Sequence, residues 1–180
     1  MATVLTEKVA WHNSFQGTSF GGIPMAQYWC DVYLWEAILN ENPHVIRIIE
    51  LGTWMGGFSF FLAAQAKIRD MDFCTYDSIE HFNPDRRPPN FFRSDIFAEA
   101  DKIGNLISAA PTILFCDNGN KPREVKTFAP YLTNDSILVV HDWMTETLPT
   151  DIPDYLEELY GDFCDDIGSI SRVFRKKVFH

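Results

Sequence analysis

The stretch Glu50-Leu51-Gly52-Thr53-Trp54-Met55-Gly56-Gly57-Phe58-Ser59 constrains this chain more than any other. It follows the apolar run Val45-Ile46-Arg47-Ile48-Ile49 and precedes Phe60-Phe61-Leu62-Ala63-Ala64-Gln65-Ala66-Lys67. A buried strand, a glycine-rich turn and a helix start therefore follow one another. Glycines 52, 56 and 57 allow positive φ and close approach of the backbone to a ligand. Glu50 adds an acceptor at the strand end, and the helix start adds free N–H groups with the positive end of a dipole. A dinucleotide fold would place Gly-x-Gly-x-x-Gly here to cradle a pyrophosphate. Thr53 stands where the second glycine should be, and a β-branched residue there crowds a pyrophosphate. An ordinary βα turn is the plainest alternative.

Further elements follow the same alternation. Apolar residues from Met25 to Asn40 recur at helical spacing, with Pro24 suited to the first turn and Asn42-Pro43 at the end. The segment from Trp11 to Pro24 reads as an ordered loop. Strands are expected at 45–51, 72–77, 91–95, 111–117 and 136–142, and helices at 58–68, 96–108, 122–130 and 154–160. Residues 78–90 carry Pro84, Pro88 and Pro89 and read as an irregular, functional loop. The tail from Phe163 to Phe179 reads as a closing antiparallel pair of strands. Alternating strands and helices imply an α/β, Rossmann-like, doubly wound and mostly parallel sheet with an antiparallel C-terminal hairpin. One domain over 1–180 is expected, with 1–43 as an N-terminal cap segment and helix and 44–180 as the core; at this length about 70% of the unfolded surface can be buried.

Composition removes several function classes. A net charge of −10 argues against nucleic acid, which requires a basic face. No apolar run reaches the ~20 residues of a membrane span, and Met1–Lys8 lacks the pattern of a signal peptide. Cys30, Cys74, Cys116 and Cys164 form no Cys-x-x-Cys pair, and three lie in apolar runs, so they read as small buried residues. A cytoplasmic protein is expected. Its oligomeric state is open, with a homo-oligomer among the options.

Ligands of open α/β sheets bind beyond the carboxyl ends of the strands, and acidic residues gather there. The strand ends carry Glu50, Asp77, Asp95, Asp117 and His141-Asp142. Asp77 lies where a carboxylate can take both ribose hydroxyls of a nucleotide, or cap a turn. Asp95-Ile96 can bracket an adenine, or Asp95 can N-cap the next helix. Asp117 and Asp142, on neighbouring strands, offer oxygens suited to Mg²⁺. His141 is a candidate general base, unless strand alternation turns it away. Trp143 can wall the site or fill the core, and Lys121, at a helix start, reads as solvated.

Residues 20–143 resemble class I S-adenosylmethionine (SAM)-dependent methyltransferases, in particular their cephalosporin hydroxylase-like branch. The resemblance lies in Gly22-Ile23-Pro24-Met25-Ala26-Gln27, in the turn from Glu50 to Ser59, in Asp117-Asn118-Gly119-Asn120-Lys121 and in Leu138-Val139-Val140-His141-Asp142. It implies a seven-stranded sheet, SAM as cofactor and methyl transfer to an oxygen or nitrogen of a small-molecule acceptor, with Mg²⁺ held by Asp117 and Asp142 in the metal-dependent relatives. The implied cofactor-facing residues are Glu50, Gly52, Thr53, Trp54, Gly56, Gly57, Ser59, Asp77, Ser78, Asp95, Ile96 and Asp117, with Asp117, His141 and Asp142 facing the acceptor. Two departures stand out: Trp143 replaces the Asn ligand of catechol enzymes, and His141 stands where relatives carry an acid. Two rival readings are an NAD-dependent oxidoreductase, for which the second glycine and a Tyr-x-x-x-Lys are missing, and a non-catalytic SAM-binding module.

Overall fold

Residues 18–178 are described by the computed structural model; residues 1–17, which include part of the expected loop from Trp11, and residues 179–180 lie outside them. Nine strands are described: β1 (Ser19–Phe20), β2 (Ile23–Pro24), β3 (Arg47–Leu51), β4 (Asp72–Asp77), β5 (Phe91–Arg93), β6 (Thr112–Cys116), β7 (Ile137–Val140), β8 (Leu156–Leu159) and β9 (Arg172–Lys176). The α-helices are α1 (Trp29–Glu41), α2 (Gly57–Ile68), α3 (Ala100–Ser108), α4 (Lys121–Phe128) and α5 (Gly161–Ile167). Seven strands form one sheet in the order β5-β4-β3-β6-β7-β9-β8. The first five run parallel, while β9 is antiparallel to both β7 and β8.

Strand alternation sorts the core into two layers. Ile48, Phe73, Ile113, Phe115, Ile137 and Val139 pack with Leu34, Trp35 and Ile38 of α1 and Phe58, Phe61 and Leu62 of α2. On the other face Ile49, Leu51, Tyr76, Leu114, Cys116, Leu138 and Val140 meet Ile103 and Ile107 of α3 and Val125 and Phe128 of α4. Successive residues of each central strand thus serve opposite faces, which explains their nearly unbroken apolar sequences.

Several expectations need correction. Residues 154–160 do not form a helix, despite the helical spacing of Tyr155, Leu156, Leu159 and Tyr160. They carry the edge strand β8, because Leu156–Leu159 finds a ladder on β9 and Glu157 pairs with Arg175 at 2.6 Å. The helix falls instead at Gly161–Ile167, which docks Cys164 into the first core layer. The closing pair of strands is therefore β8 and β9 with α5 between them. Met25 to Tyr28 precede α1 rather than open it: Pro24 ends β2, Ala26 is left-handed (φ 59°), and the Asp31 side chain accepts from the Tyr28 N–H at 3.0 Å. The helix after β5 begins at Ala100 rather than residue 96, and a 3₁₀ turn, Pro84–Arg86, interrupts the otherwise irregular loop from Ser78.

The small β1–β2 hairpin lies on the start of α2. A Cβ at Gly57 would stand 2.3 Å from the carbonyl oxygens of both Ile23 and Pro24. Gly57→Ala is expected to cost about 1–3 kcal/mol by forcing the hairpin off the helix, lowering the melting temperature by roughly 2–4 °C per kcal/mol. Thermal unfolding followed by circular dichroism checks this; an unchanged midpoint would mean the hairpin does not rest there.

Candidate functional site

The order of strands reverses between β3 and β6. The last bond between them runs from the Asp117 N–H to the Leu51 carbonyl (2.8 Å), while the Gly52 N–H goes to Tyr76 (2.8 Å). Gly52 then takes φ 109°, and a Cβ there would meet the Asp117 carbonyl at 2.3 Å. Beyond this point the two strands part and open a cleft of about 360 Å³. A larger groove of about 520 Å³ lies beside β4, lined by Met71, Phe73 and Phe92 among others. It contains none of the strand-end acids, so the chemistry points to the smaller cleft.

Of the residues singled out in the sequence, Glu50, Gly52, Thr53, Trp54, Asp77, Ser78, Asp117, His141 and Asp142 line that cleft. Gly56, Gly57 and Ser59 stand behind it: Gly57 under the hairpin, and Ser59 beneath Glu50 with its hydroxyl donating to the Glu50 carboxyl. Asp95 and Ile96 are not part of the lining. Asp95 is exposed and caps the turn after β5, accepting from the Phe97 N–H at 2.9 Å, while Ile96 is buried in the second core layer. Trp143 likewise belongs to the core, packed 5.8 Å from the Phe174 ring.

Each lining acid has a distinct environment. Asp77 accepts from the Trp54 N–H (2.9 Å) and the Ile79 N–H (3.1 Å), which locks the β4 end to the glycine turn. Thr53 turns its hydroxyl inward to Thr75 at 2.5 Å. Glu50 is 1% exposed, and burial pushes its carboxyl up to about 8 despite hydrogen bonds from Ser59 and Thr75; the charges of Asp117 and Asp77 act in the same direction as burial.

His141 does face the site. The strand β7 ends at Val140, and Asp142 adopts a left-handed conformation (φ 55°), so alternation no longer separates the two side chains. The imidazole Nδ1 lies 3.1 Å from Asp117 and 3.5 Å from Asp142, and Nε2 lies 3.9 Å from the buried Asp31. Burial alone would lower its pKa, but the charge of Asp117, its hydrogen bond and those of Asp142 and Asp31's charge carry it up to about 10. The neighbouring carboxylates thus favour the protonated ring over a free general base.

Four further residues escaped the sequence reading. Lys121 was expected in solvent, yet its side chain is 3% exposed, with Nζ 2.7 Å from Asp142, 2.8 Å from Glu146 and 3.3 Å from Asp117. Those charges hold its ammonium well above the usual lysine range, outweighing the opposing effect of burial. Gln27 is buried and donates to Asp117 at 2.7 Å. Asp31, buried on α1, accepts from Ser169 at 2.5 Å. Glu124 accepts from the Asn118 (3.2 Å) and Asn120 (3.1 Å) N–H groups and shapes the turn after β6. An acid among the apolar positions of α1, and a glutamine within the Gly22–Gln27 stretch, were the available signals.

Asp117, His141 and Asp142 place one donor atom each within 4.8 Å of one another. The oxygens of Asp117 and Asp142 suit Mg²⁺, but the Lys121 ammonium already rests on both carboxylates. As the side chains stand, the set does not fit a divalent ion.

No protein-family model matches the sequence, and no curated protein matches it. Solved structures do. An S-adenosyl-L-methionine methyl transferase from Silicibacter pomeroyi is 16% identical, over 82% of this chain and 92% of that one, with a TM-score of 0.58. A magnesium–SAM form of CmcI is 16% identical, over 92% of this chain and 78% of that one, with a TM-score of 0.71. An SAH form of CmcI gives 16%, 89%, 82% and 0.64 in the same order. The fold is thus the one found in SAM-dependent methyltransferases.

The raised Glu50 pKa gives a stability signature. An unfolded glutamate titrates near 4.5, so between 4.5 and about 8 the folded chain holds a proton that the unfolded chain has lost. Stability contributed by that proton falls as pH rises through this window. His141 acts in the same direction from 6.5 to about 10. Melting temperatures of wild type and Glu50→Gln across pH 5–8 are expected to show the shallower decline in the variant; equal slopes would contradict a protonated Glu50.

Proposed function

We propose that this chain is a class I SAM-dependent methyltransferase acting on an oxygen or nitrogen of a small-molecule acceptor. The observation that carries this reading is the cleft at the β3–β6 divergence. Asp77 is held there by the Trp54 N–H beside a glycine turn whose Thr53 is tied back to Thr75. A carboxylate so placed suits a ribose. The filled turn disfavours the pyrophosphate of NAD, which in dinucleotide folds lies against a second glycine. Similarity to solved SAM-dependent methyltransferases supports the same choice.

Within this reading Glu50, Gly52 and Trp54 border the amino-acid end of SAM, and Asp77 with Ser78 holds the ribose. Ile79 and His81, from the loop after β4, also line the cleft and help close it. The adenine contact first assigned to Asp95-Ile96 loses support, since neither residue faces the cleft. Asp117, Asp142 and His141 border the acceptor space. Bound SAM would supply an electrophilic methyl group, whose carbon an acceptor lone pair would attack in line while the thioether sulfur leaves with the carbon–sulfur bonding pair. The protein aligns the two reactants. Asp117 and Asp142, held ionised against Lys121, are the carboxylates that border the acceptor and orient it. A non-catalytic SAM-binding module would have no use for this charged wall.

The domain is proposed to span 1–180, with 1–43 as cap segment and helix over a core of 44–180. A cytoplasmic location is supported by four buried cysteines that form no disulfide with one another. Among the described residues, no helix is long and apolar enough to cross a membrane.

Calorimetry with S-adenosylhomocysteine and NAD tests the reading. Wild type is expected to bind the former and not the latter. Asp77→Ala is expected to weaken binding about 10–100-fold, the loss of hydrogen bonds to a charged group. Unchanged affinity in the variant would remove the ribose assignment.

A further inference from the structure

We infer that the Lys121 ammonium is the resident cation of the Asp117–Asp142 site and excludes a divalent metal ion from it. The inference rests on the methyltransferase reading only for its catalytic consequence, namely methyl transfer that needs no added metal.

A lysine at a helix start is ordinarily solvated. Here three oxygens from three separate segments surround it: Asp117 from the end of β6, Asp142 from the end of β7, and Glu146 from the loop that follows. Oxygens converging from neighbouring strand ends on one positive centre is what a hard divalent cation requires. In this chain the positive centre is covalently supplied. Each oxygen of the two strand-end carboxylates also faces at least one N–H donor. Gln27 Nε2 donates to Asp117 Oδ2 at 2.7 Å, while Lys121 and His141 Nδ1 share Asp117 Oδ1, at 3.3 and 3.1 Å. On Asp142, Lys121 takes Oδ2 and His141 faces Oδ1 at 3.5 Å.

His141 reinforces the exclusion. Its Nδ1 faces only carboxylate oxygens, which accept and do not donate, so this nitrogen carries hydrogen and has no lone pair for a metal. A divalent ion would have to expel the ammonium and strip two carboxylates of their donors. Removing the Lys121 charge reverses the situation. Asp117, Asp142 and Glu146 would then lose the ammonium they share and keep, among the described residues, only His141 and Gln27 beside them, which favours entry of a cation.

Manganese, read by the electron paramagnetic resonance signal of the free ion, tests this on the full chain without cofactor. Wild type is expected to leave Mn²⁺ free. Lys121→Ala and Lys121→Met, the second keeping an apolar stem, are expected to bind it at least about tenfold more tightly, because their three carboxylates have lost the ammonium they share. Adding Asp142→Asn to either is expected to abolish that binding. Circular dichroism confirms which variants are folded. Two results would overturn the inference. One is wild-type Mn²⁺ binding that Asp142→Asn removes, which is decisive even if neither lysine variant folds. The other is a folded lysine variant that binds no better than wild type. Failure of S-adenosylhomocysteine to bind would instead sink the methyltransferase reading and leave the manganese result standing.

Discussion

The parting of β3 and β6 is the constraint on which the rest of the site depends. Up to the Asp117 N–H and the Leu51 carbonyl the two strands are ordinary parallel neighbours. One residue later the backbone of Gly52 passes so close to the Asp117 carbonyl that no side chain fits between them. That contact sends the glycine turn toward β4 and the Asp117 turn toward β7, leaving a cleft walled by four strand ends. The packing below it requires no polar chemistry, because both faces of the central strands are closed by apolar helices. The polar groups are therefore free to concentrate at the carboxyl ends.

Charge then divides the cleft into two regions. Toward the glycine turn, Glu50 is buried and holds its proton, while Asp77 is fixed by two backbone N–H groups. Toward β7, Asp117, Asp142 and Glu146 are balanced by Lys121, and His141 faces the first two, with Asp31 behind the ring. Under the proposed function the first region takes the ribose and amino-acid ends of SAM. The second is a wall of fixed charges that, on the same proposal, orients the acceptor.

Much of this was legible in the sequence, because strand ends and glycine turns are local features. The apolar runs ending in Glu50, Asp77, Asp117 and His141-Asp142 located both the sheet and the cleft. What stayed hidden depended on distant partners. Lys121 looks solvated until Asp142 and Glu146 are brought to it, and Gln27 and Asp31 matter only because the fold sets the segment entering α1 against Asp117 and His141. The C-terminal misreading has the same origin: β8 exists because β9 offers it a ladder, and helical spacing in 154–160 could not reveal that pairing. Asp95 shows the converse, a locally satisfied turn cap that needs no ligand.

A crystal structure of the chain with S-adenosylhomocysteine tests the central claim most directly. The ribose hydroxyls are expected within about 2.6–3.2 Å of the Asp77 carboxylate, with the sulfur directed at the wall formed by Asp117, Lys121 and Asp142. A ligand bound in the groove beside β4, or one whose ribose avoids Asp77, would contradict it.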